Sequence, residues 1–154
     1  MATILKCKMC GGDIEVNQEM CVGTCLYCGS TTTLPKIDSD KKVRLFNRAN
    51  QYRMDCDFDR AYSVYEAILQ EDDQEAEAYW GLILSEYGVE YVEDPKTGKR
   101  IPTCHRTNIK SIKTSVNYEN VLKYADVESR FMYEDEAKVL DELQKKAISV
   151  SLKE

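Results

Sequence analysis

Residues 7–29, CKMCGGDIEVNQEMCVGTCLYCG, hold five of the seven cysteines in this 154-residue chain. Four of the five form two Cys-x-x-Cys pairs, Cys7 with Cys10 and Cys25 with Cys28, and 14 residues separate the pairs. A Cys-x-x-Cys turn directs two thiolates at one cation, so two such turns face to face supply the four sulfur ligands of a structural zinc site. The spacing therefore predicts a zinc ribbon over residues 1–37, with one structural Zn²⁺ bound by these four cysteines.

The residues around the two pairs fit the same interpretation. Gly11 and Gly29 follow the second cysteine of each pair, where glycine permits a left-handed backbone at no steric cost. Alternating runs at 13–16 and 20–23, and the TTTLP run at 31–35, predict three short strands. A segment of about 35 residues is too short to build its own hydrophobic core, so its folding is expected to depend on the metal.

Cys21 is the fifth cysteine of the cluster. Its spacing to Cys25 does not repeat the Cys-x-x-Cys geometry, so we expect it on a ribbon strand beside the metal without binding it. A redox dithiol is the alternative interpretation of the quartet, but that chemistry uses one Cys-x-x-Cys pair within a βαβ unit, and the sequence pattern shows no such unit. Four thiolates also leave no open position for a catalytic water.

Composition indicates a soluble protein of the reducing cytoplasm. The chain is 43% hydrophobic and 31% charged, with a formal net charge of −6. The start, MATILKCKMC, lacks the basic and apolar regions of a signal peptide. The longest apolar run, WGLIL at 80–84, is far short of the roughly 20 residues that cross a bilayer. In a reducing compartment, paired cysteines are more often metal ligands than disulfides.

The distribution of charge favours a protein partner over nucleic acid. Residues 1–40 carry three lysines against five carboxylates, and four thiolates on one Zn²⁺ add about two further negative charges. A phosphate-binding surface is instead strongly basic. Residues 93–116 do carry a net charge of +4. Nucleic-acid binding through the ribbon and this basic stretch is therefore the alternative to protein binding or self-association through the helical part.

The middle of the chain has a helical pattern. From Lys41, apolar residues recur at helical spacing, and a turn is predicted at 55–57 before a second helix and a third from about Gln74. Leu45 and Tyr79 are 34 residues apart, the period of a tetratricopeptide repeat (TPR), and the run 47–82 resembles one such unit. The small and aromatic positions that allow two helices to nest are Ala49, Tyr52, Ala61 and Tyr65.

The pattern then changes twice before the end of the chain. YVEDPKTGKRIPT predicts a β-hairpin at about 89–104, and helical spacing returns over about 117–152. The buried stripe of the last helix is predicted to be Phe131, Ala137, Leu140, Leu143, Ala147 and Ile148. The expected fold is thus mainly α with a small β zinc ribbon, and a TPR-like domain over 38–154 that contains the hairpin and is capped by these helices.

No catalytic constellation is evident, and the chain is predicted to be non-enzymatic. His105 is the only histidine, and its neighbour Cys104 faces the other way if the segment is extended. Neither a glycine-rich phosphate loop nor another nucleophile with a nearby base is present in the sequence.

The order of these parts resembles the N-terminal half of bacterial Toll/interleukin-receptor (TIR) domain proteins of the Firmicutes type. The resemblance spans essentially all 154 residues. It rests on four segments, CKMCGG at 7–12, CLYCGS at 25–30, AEAYWGLIL at 76–84 and, most specifically, EYVEDPKTGKRIPTC at 90–104. The resemblance implies a regulatory region that acts with a TIR-type effector domain.

Some bacterial TIR domains cleave NAD and others are signalling modules, some in phage defence. In the family the first TIR strand follows the long terminal helix, where this sequence ends with SLKE. The resemblance therefore transfers no NAD-cleaving activity to these residues. It implies a role in binding a partner and positioning or regulating an effector.

Overall fold

The computed structural model describes residues 3–108 and 110–153. Over this part the fold is mixed α/β and about half helical. At this level of detail the structure confirms the prediction of helices combined with a small β part. In chain order the elements are β1 (Thr3–Lys6), β2 (Asp13–Val16), β3 (Val22–Thr24), β4 (Thr31–Thr33), α1 (Asp40–Met54), α2 (Phe58–Glu71), α3 (Ala76–Glu86), β5 (Val89–Glu93), β6 (Arg100–Cys104), a short 3₁₀ turn (Ile112–Thr114), α4 (Val116–Tyr124) and α5 (Val127–Lys153).

The six strands pair only with their sequence neighbours, as three antiparallel hairpins among the described residues. In the ribbon segment, defined here as residues 3–37, β1 pairs with β2 and β3 pairs with β4. Each Cys-x-x-Cys turn connects the two strands of one hairpin. Strand β1 was not predicted, because the four-residue TILK run carries no clear alternation on its own.

The first three helices begin with side-chain caps and pack in sequence order. Ser39 caps α1 by accepting from the backbone N–H of Lys42, and Asp57 caps α2 in the same way. Ala49 and Ala61 are fully buried where α1 meets α2. Small side chains at these positions allow the two helices to approach closely.

Gly81 gives α3 a flat face against α2. A Cβ atom at this position would lie 2.4 Å from the ring of Tyr65, closer than real contacts allow. Tyr65 is itself buried and donates its hydroxyl hydrogen bond to Asn50, so its ring has little freedom to move. The ring of Tyr65 on α2 thus packs directly against the glycine of α3.

We expect Gly81→Ala to lower the free energy of unfolding by about 1–3 kcal/mol, because the added methyl overpacks this contact. Glycine to alanine inside a helix otherwise stabilises by about 0.5–1 kcal/mol, so the expected sign is opposite to that of helix propensity. Urea denaturation measures the effect, with Glu66→Ala at an exposed position beside Tyr65 as the control. A rise in stability in Gly81→Ala would contradict this account of the packing.

The apolar face of the ribbon segment and the first three helices form one hydrophobic cluster. Leu5, Ile14 and Leu34 from the ribbon segment belong to the same buried cluster as Phe46 and Ala78 from α1 and α3. The ribbon segment therefore gains burial from the helices that it could not obtain from its own few residues.

A second hydrophobic cluster lies on the other face of α3. Trp80 and Ile83 of α3 pack with Val89 of β5, with Val121 of α4 and with Tyr133 of α5. The ring centroids of Trp80 and Tyr133 are 5.3 Å apart. The β5–β6 hairpin and the last two helices thus enclose the face of α3 that α2 leaves uncovered.

The buried face of α5 differs from the predicted stripe at Phe131, which is 65% exposed. Tyr133 is buried instead, together with Ala137 and Leu140. Phe131 and Ala137 are six residues apart, about 240° around a helix at 3.6 residues per turn, and therefore cannot share one face. Leu143, Ala147 and Ile148 are partly buried, as expected of the end of the stripe.

Two polar residues on the buried face of α5 hold the loop that precedes α4. Asp141 accepts hydrogen bonds from the backbone N–H of Ile112 (2.9 Å) and the hydroxyl of Ser111 (2.7 Å). Gln144 accepts from the N–H of Asn108 and donates to the carbonyl of Arg106, both at 2.9 Å. An irregular segment obtains its backbone partners from these side chains.

None of the helices in the described part of the chain is both long enough and apolar enough to span a bilayer.

Candidate metal centre

The two cysteine turns have the same local structure. In the first knuckle, residues 7–12, the N–H of Gly11 donates to the carbonyl of Cys7 (2.9 Å). In the second knuckle, residues 25–30, Gly29 donates to Cys25 in the same way (2.8 Å). The φ angles of Gly11 and Gly29 are +82° and +74°, so the prediction of left-handed glycines is confirmed.

The two knuckles bring the four predicted cysteines together. Their Sγ atoms all lie within 4.8 Å of one another, with 3.9 Å between Cys7 and Cys28 and 3.5 Å between Cys10 and Cys25. Tetrahedral zinc with bonds of about 2.3 Å to sulfur requires about 3.8 Å between ligand atoms. All four cysteines are free thiols. They form a potential metal-binding site.

The electrostatics of the quartet favour a bound cation. Burial raises the pKa of Cys7, and it raises that of Cys10 to about 12. Burial also acts to raise the pKa of Cys28, but hydrogen bonds outweigh it and bring that pKa to about 7. These hydrogen bonds come from the N–H and the hydroxyl of Ser30 and from the thiols of Cys10 and Cys25. Burial thus disfavours the thiolate forms of Cys7 and Cys10, whereas a divalent metal ion compensates the negative charge of thiolate ligands.

The first knuckle is buried against the helices. Lys8, between Cys7 and Cys10, is only 4% exposed, and its ammonium lies 3.0 Å from a carboxylate oxygen of Glu77 on α3. Glu77 also accepts hydrogen bonds from the hydroxyls of Thr33 on β4 and Tyr133 on α5, both at 2.7 Å. One buried carboxylate therefore joins the knuckle, β4, α3 and α5.

Arg53 makes a second connection between the first knuckle and the helices. Its guanidinium, fully buried at the end of α1, donates to the backbone carbonyl of Lys8 and to that of Val89 on β5 (3.4 Å). It also lies over the ring of Tyr91, 5.5 Å from the centroid. The cysteine turn is thus held from one side by a carboxylate and from another by a guanidinium.

The second knuckle faces solvent. Leu26 and Tyr27, between Cys25 and Cys28, are 92% and 74% exposed. An open groove beside them is lined by Ile4, Ile14 and Met20 among others. The two knuckles are alike in their backbone but opposite in their surroundings.

Cys21 lies outside the quartet. It immediately precedes β3 rather than lying on the strand as predicted, and its Sγ is 3.4 Å from a carboxylate oxygen of Glu128 on α5. Its carbonyl accepts from the hydroxyl of Ser129 (3.3 Å). The residue therefore contacts the long helix.

Cys104 and His105 lie on opposite sides of the chain. Cys104 packs against the second hydrophobic cluster, and burial raises its pKa. His105 instead meets Glu90 and Cys56, whose ligand atoms lie within 4.8 Å of one another and of its ring nitrogen. Sequence reasoning missed this second group of potential metal ligands, because its members are 15 and 34 residues apart and form no local motif.

The basic stretch 93–116 is divided between the β5–β6 hairpin and the loop after it. Arg106 pairs with Asp59 on α2 (2.9 Å) and covers the ring of Phe58, 5.3 Å from the centroid. One of the six basic side chains is therefore engaged within the fold.

Comparison with protein-family models, curated proteins and solved structures gave no match. The interpretation of the site accordingly rests on its own geometry and chemistry.

Proposed function

We propose that this chain is a non-enzymatic protein-interaction module built around one structural Zn²⁺ held by Cys7, Cys10, Cys25 and Cys28. Four thiolates at near-tetrahedral spacing select zinc or an iron–sulfur centre, and separations of 3.5 and 3.9 Å fit a single ion. A closed set of four protein ligands suits a structural role, because a catalytic zinc needs an open position.

The contrast between the two knuckles carries the interaction proposal. The buried first knuckle anchors the metal to the helices, and the second knuckle presents Leu26 and Tyr27 to solvent on a turn that the same metal makes rigid. Two large apolar side chains at such exposure are favourable contacts for a protein partner, because little conformational entropy is lost when a rigid surface binds. Tyrosine is also enriched among the residues that dominate binding energy.

The helical part serves as the support for this surface. The nesting of α1 with α2 at Ala49 and Ala61, and of α2 with α3 at Tyr65 and Gly81, is consistent with one TPR-like unit. The resemblance to the N-terminal region of bacterial TIR proteins suggests that the module positions or regulates a TIR-type effector in the cytoplasm. Binding to a second copy of the chain is the simplest other form of the same function.

We expect the double variant Leu26→Asp/Tyr27→Asp to lose at least tenfold in partner binding, because a loss of about 1.4 kcal/mol over the two apolar contacts together already gives that factor. The measurement is an affinity capture of the tagged, zinc-loaded chain from extract of its native cells, with bound protein and nucleic acid both quantified. Val127→Asp is the matched control, since Val127 is also 74% exposed but lies at the start of α5.

The outcomes separate the candidate functions. A protein captured by the unaltered chain and by Val127→Asp, but not by the double variant, supports the module and its surface. Capture that is equal for all three chains would reject the surface. Recovery of nuclease-sensitive nucleic acid without a stoichiometric protein would favour the nucleic-acid alternative, and a concentration-dependent mass in sedimentation would indicate self-association.

A further inference from the structure

Three potential metal ligands meet at the surface, outside the cysteine quartet. Cys56 comes from the turn between α1 and α2, Glu90 from β5, and His105 from the residue after β6. The Nε2 atom of His105 lies 3.9 Å from Sγ of Cys56 and 2.8 Å from a carboxylate oxygen of Glu90. The three ligand atoms fall within 4.8 Å of one another.

The backbone holds these residues in place. Cys56 has a φ of +61°, the one left-handed residue other than glycine in the described part of the chain. The N–H of His105 donates to the carbonyl of Gly88 (2.8 Å), and its ring lies beside that of Phe58, with centroids 5.8 Å apart. Glu90 lies opposite Thr103 in the β5–β6 ladder. Turn, strand and loop are therefore fixed before any ligand binds.

We propose that Cys56, Glu90 and His105 form a second, solvent-facing Zn²⁺ site. Thiolate, imidazole and carboxylate are the three ligand types that zinc accepts in proteins. At typical bond lengths, tetrahedral coordination needs about 3.6 Å between the sulfur and nitrogen ligands and about 3.4 Å between nitrogen and oxygen. The observed 3.9 Å between Sγ of Cys56 and Nε2 of His105 is already close to the required sulfur–nitrogen distance. The observed 2.8 Å between Nε2 of His105 and the oxygen of Glu90 would have to increase by about 0.6 Å.

The surroundings allow that small movement. The side chains of His105 and Glu90 are 47% and 33% exposed, so both can rotate without disturbing a core. In the absence of metal the two groups form a hydrogen bond, and this contact with His105 lowers the pKa of Glu90. A metal ion would bind Nε2 of His105, a carboxylate oxygen of Glu90 and the sulfur of Cys56. The thiol of Cys56 would release its proton to solvent, and a proton on Nε2 would move to Nδ1 or to solvent.

The site should differ from the quartet in affinity and in coordination. Three protein ligands leave the fourth position of a tetrahedral ion to water. Because the cluster is exposed and has one ligand fewer, its metal should exchange readily while the quartet retains its own. When occupied, the site would tie the α1–α2 turn to β5 and to the residue that follows β6.

The test uses the full chain in reductant, first loaded with zinc and passed through gel filtration so that only the tightly held ion remains. Titration with Co²⁺ should then produce a thiolate-to-cobalt absorption band at one equivalent, and Zn²⁺ should compete it away. We expect Cys56→Ala to abolish the band and His105→Ala to weaken binding at least about tenfold, the lower limit seen even for residues beside a metal ligand. Cys21→Ser, outside both clusters, should behave as the unaltered chain.

A second readout needs no variant. Alkylation of Cys56, followed by peptide mass spectrometry, should be slowed by added Zn²⁺ in the unaltered chain, whereas alkylation of Cys21 should not. The proposal is overturned if the zinc-loaded chain binds no further metal and Cys56 is not protected. It is equally overturned if Cys56→Ala and His105→Ala, shown by circular dichroism to be folded, both bind the second ion as tightly as the unaltered chain.

Discussion

Cys10→Ser is expected to abolish tight zinc retention and to unfold the ribbon segment. Apparent binding free energies of structural zinc sites are about 10–16 kcal/mol, comparable with the entire stability of a typical domain at about 5–15 kcal/mol. The ribbon segment has too few residues to replace this contribution from its own core. Because Leu5, Ile14 and Leu34 share a cluster with α1 and α3, the loss should also lower the melting temperature of the helices.

Metal analysis after gel filtration and a ¹H–¹⁵N correlation spectrum measure the two effects. Cys21→Ser provides the matched control, because Cys21 lies in the same segment but contacts Glu128 rather than the quartet. It should keep the tightly held zinc and a native spectrum. Unchanged zinc content in Cys10→Ser would show that the ligand assignment is wrong.

Glu77→Ala is expected to destabilise the zinc-loaded chain by about 3–5 kcal/mol, because it leaves the ammonium of Lys8 buried without its counter-charge. The substitution also removes the acceptor for the hydroxyls of Thr33 and Tyr133. Since Glu77 lies where the first knuckle, β4, α3 and α5 meet, the effect should extend to both hydrophobic clusters. Urea denaturation in the presence of excess zinc measures it.

Two further variants test whether the burial of the Lys8–Glu77 pair causes the loss of stability in Glu77→Ala. Glu71→Ala breaks the ion pair between Glu71 and Lys41, whose side chains are 53% and 60% exposed, respectively. It should lower the free energy of unfolding by less than about 1 kcal/mol. The double variant Lys8→Met/Glu77→Leu removes both charges at once and should recover the part of the loss that comes from the unpaired ammonium, while the hydroxyls of Thr33 and Tyr133 still lack their acceptor. Equal stabilities of Glu77→Ala and Glu71→Ala would contradict a structural role for the buried pair.

Much of the local structure could be predicted from the sequence because its signals are local. Each cysteine turn is specified by a few adjacent residues, and the left-handed glycines follow from the same short motif. Helices α1 and α2 follow from apolar spacing, and the turn of the β5–β6 hairpin follows from Asp-Pro-Lys-Thr-Gly at 94–98. In these segments neighbouring residues decide the backbone, so periodicity and turn chemistry suffice.

The prediction failed where a choice depended on distant neighbours. Phe131 is the most conspicuous apolar residue of the first turns of α5, yet Tyr133 is the aromatic residue that reaches Trp80 and Glu77. Which face of a helix is buried depends on the elements packed against it. For α5 these elements include β4, β6 and the 3₁₀ turn, all distant in sequence.

The sequence by itself determined the candidate metal ligands and, apart from β1, the order of the secondary structure, because four cysteines at fixed spacing and regular apolar periods act over short stretches of chain. Only the tertiary structure decided that the first knuckle is buried and the second exposed. That difference arises from Lys8 meeting Glu77, 69 residues away. The meeting of Cys56 with Glu90 and His105 has the same origin, since groups far apart in the chain become neighbours only when helix packing and strand register bring them together.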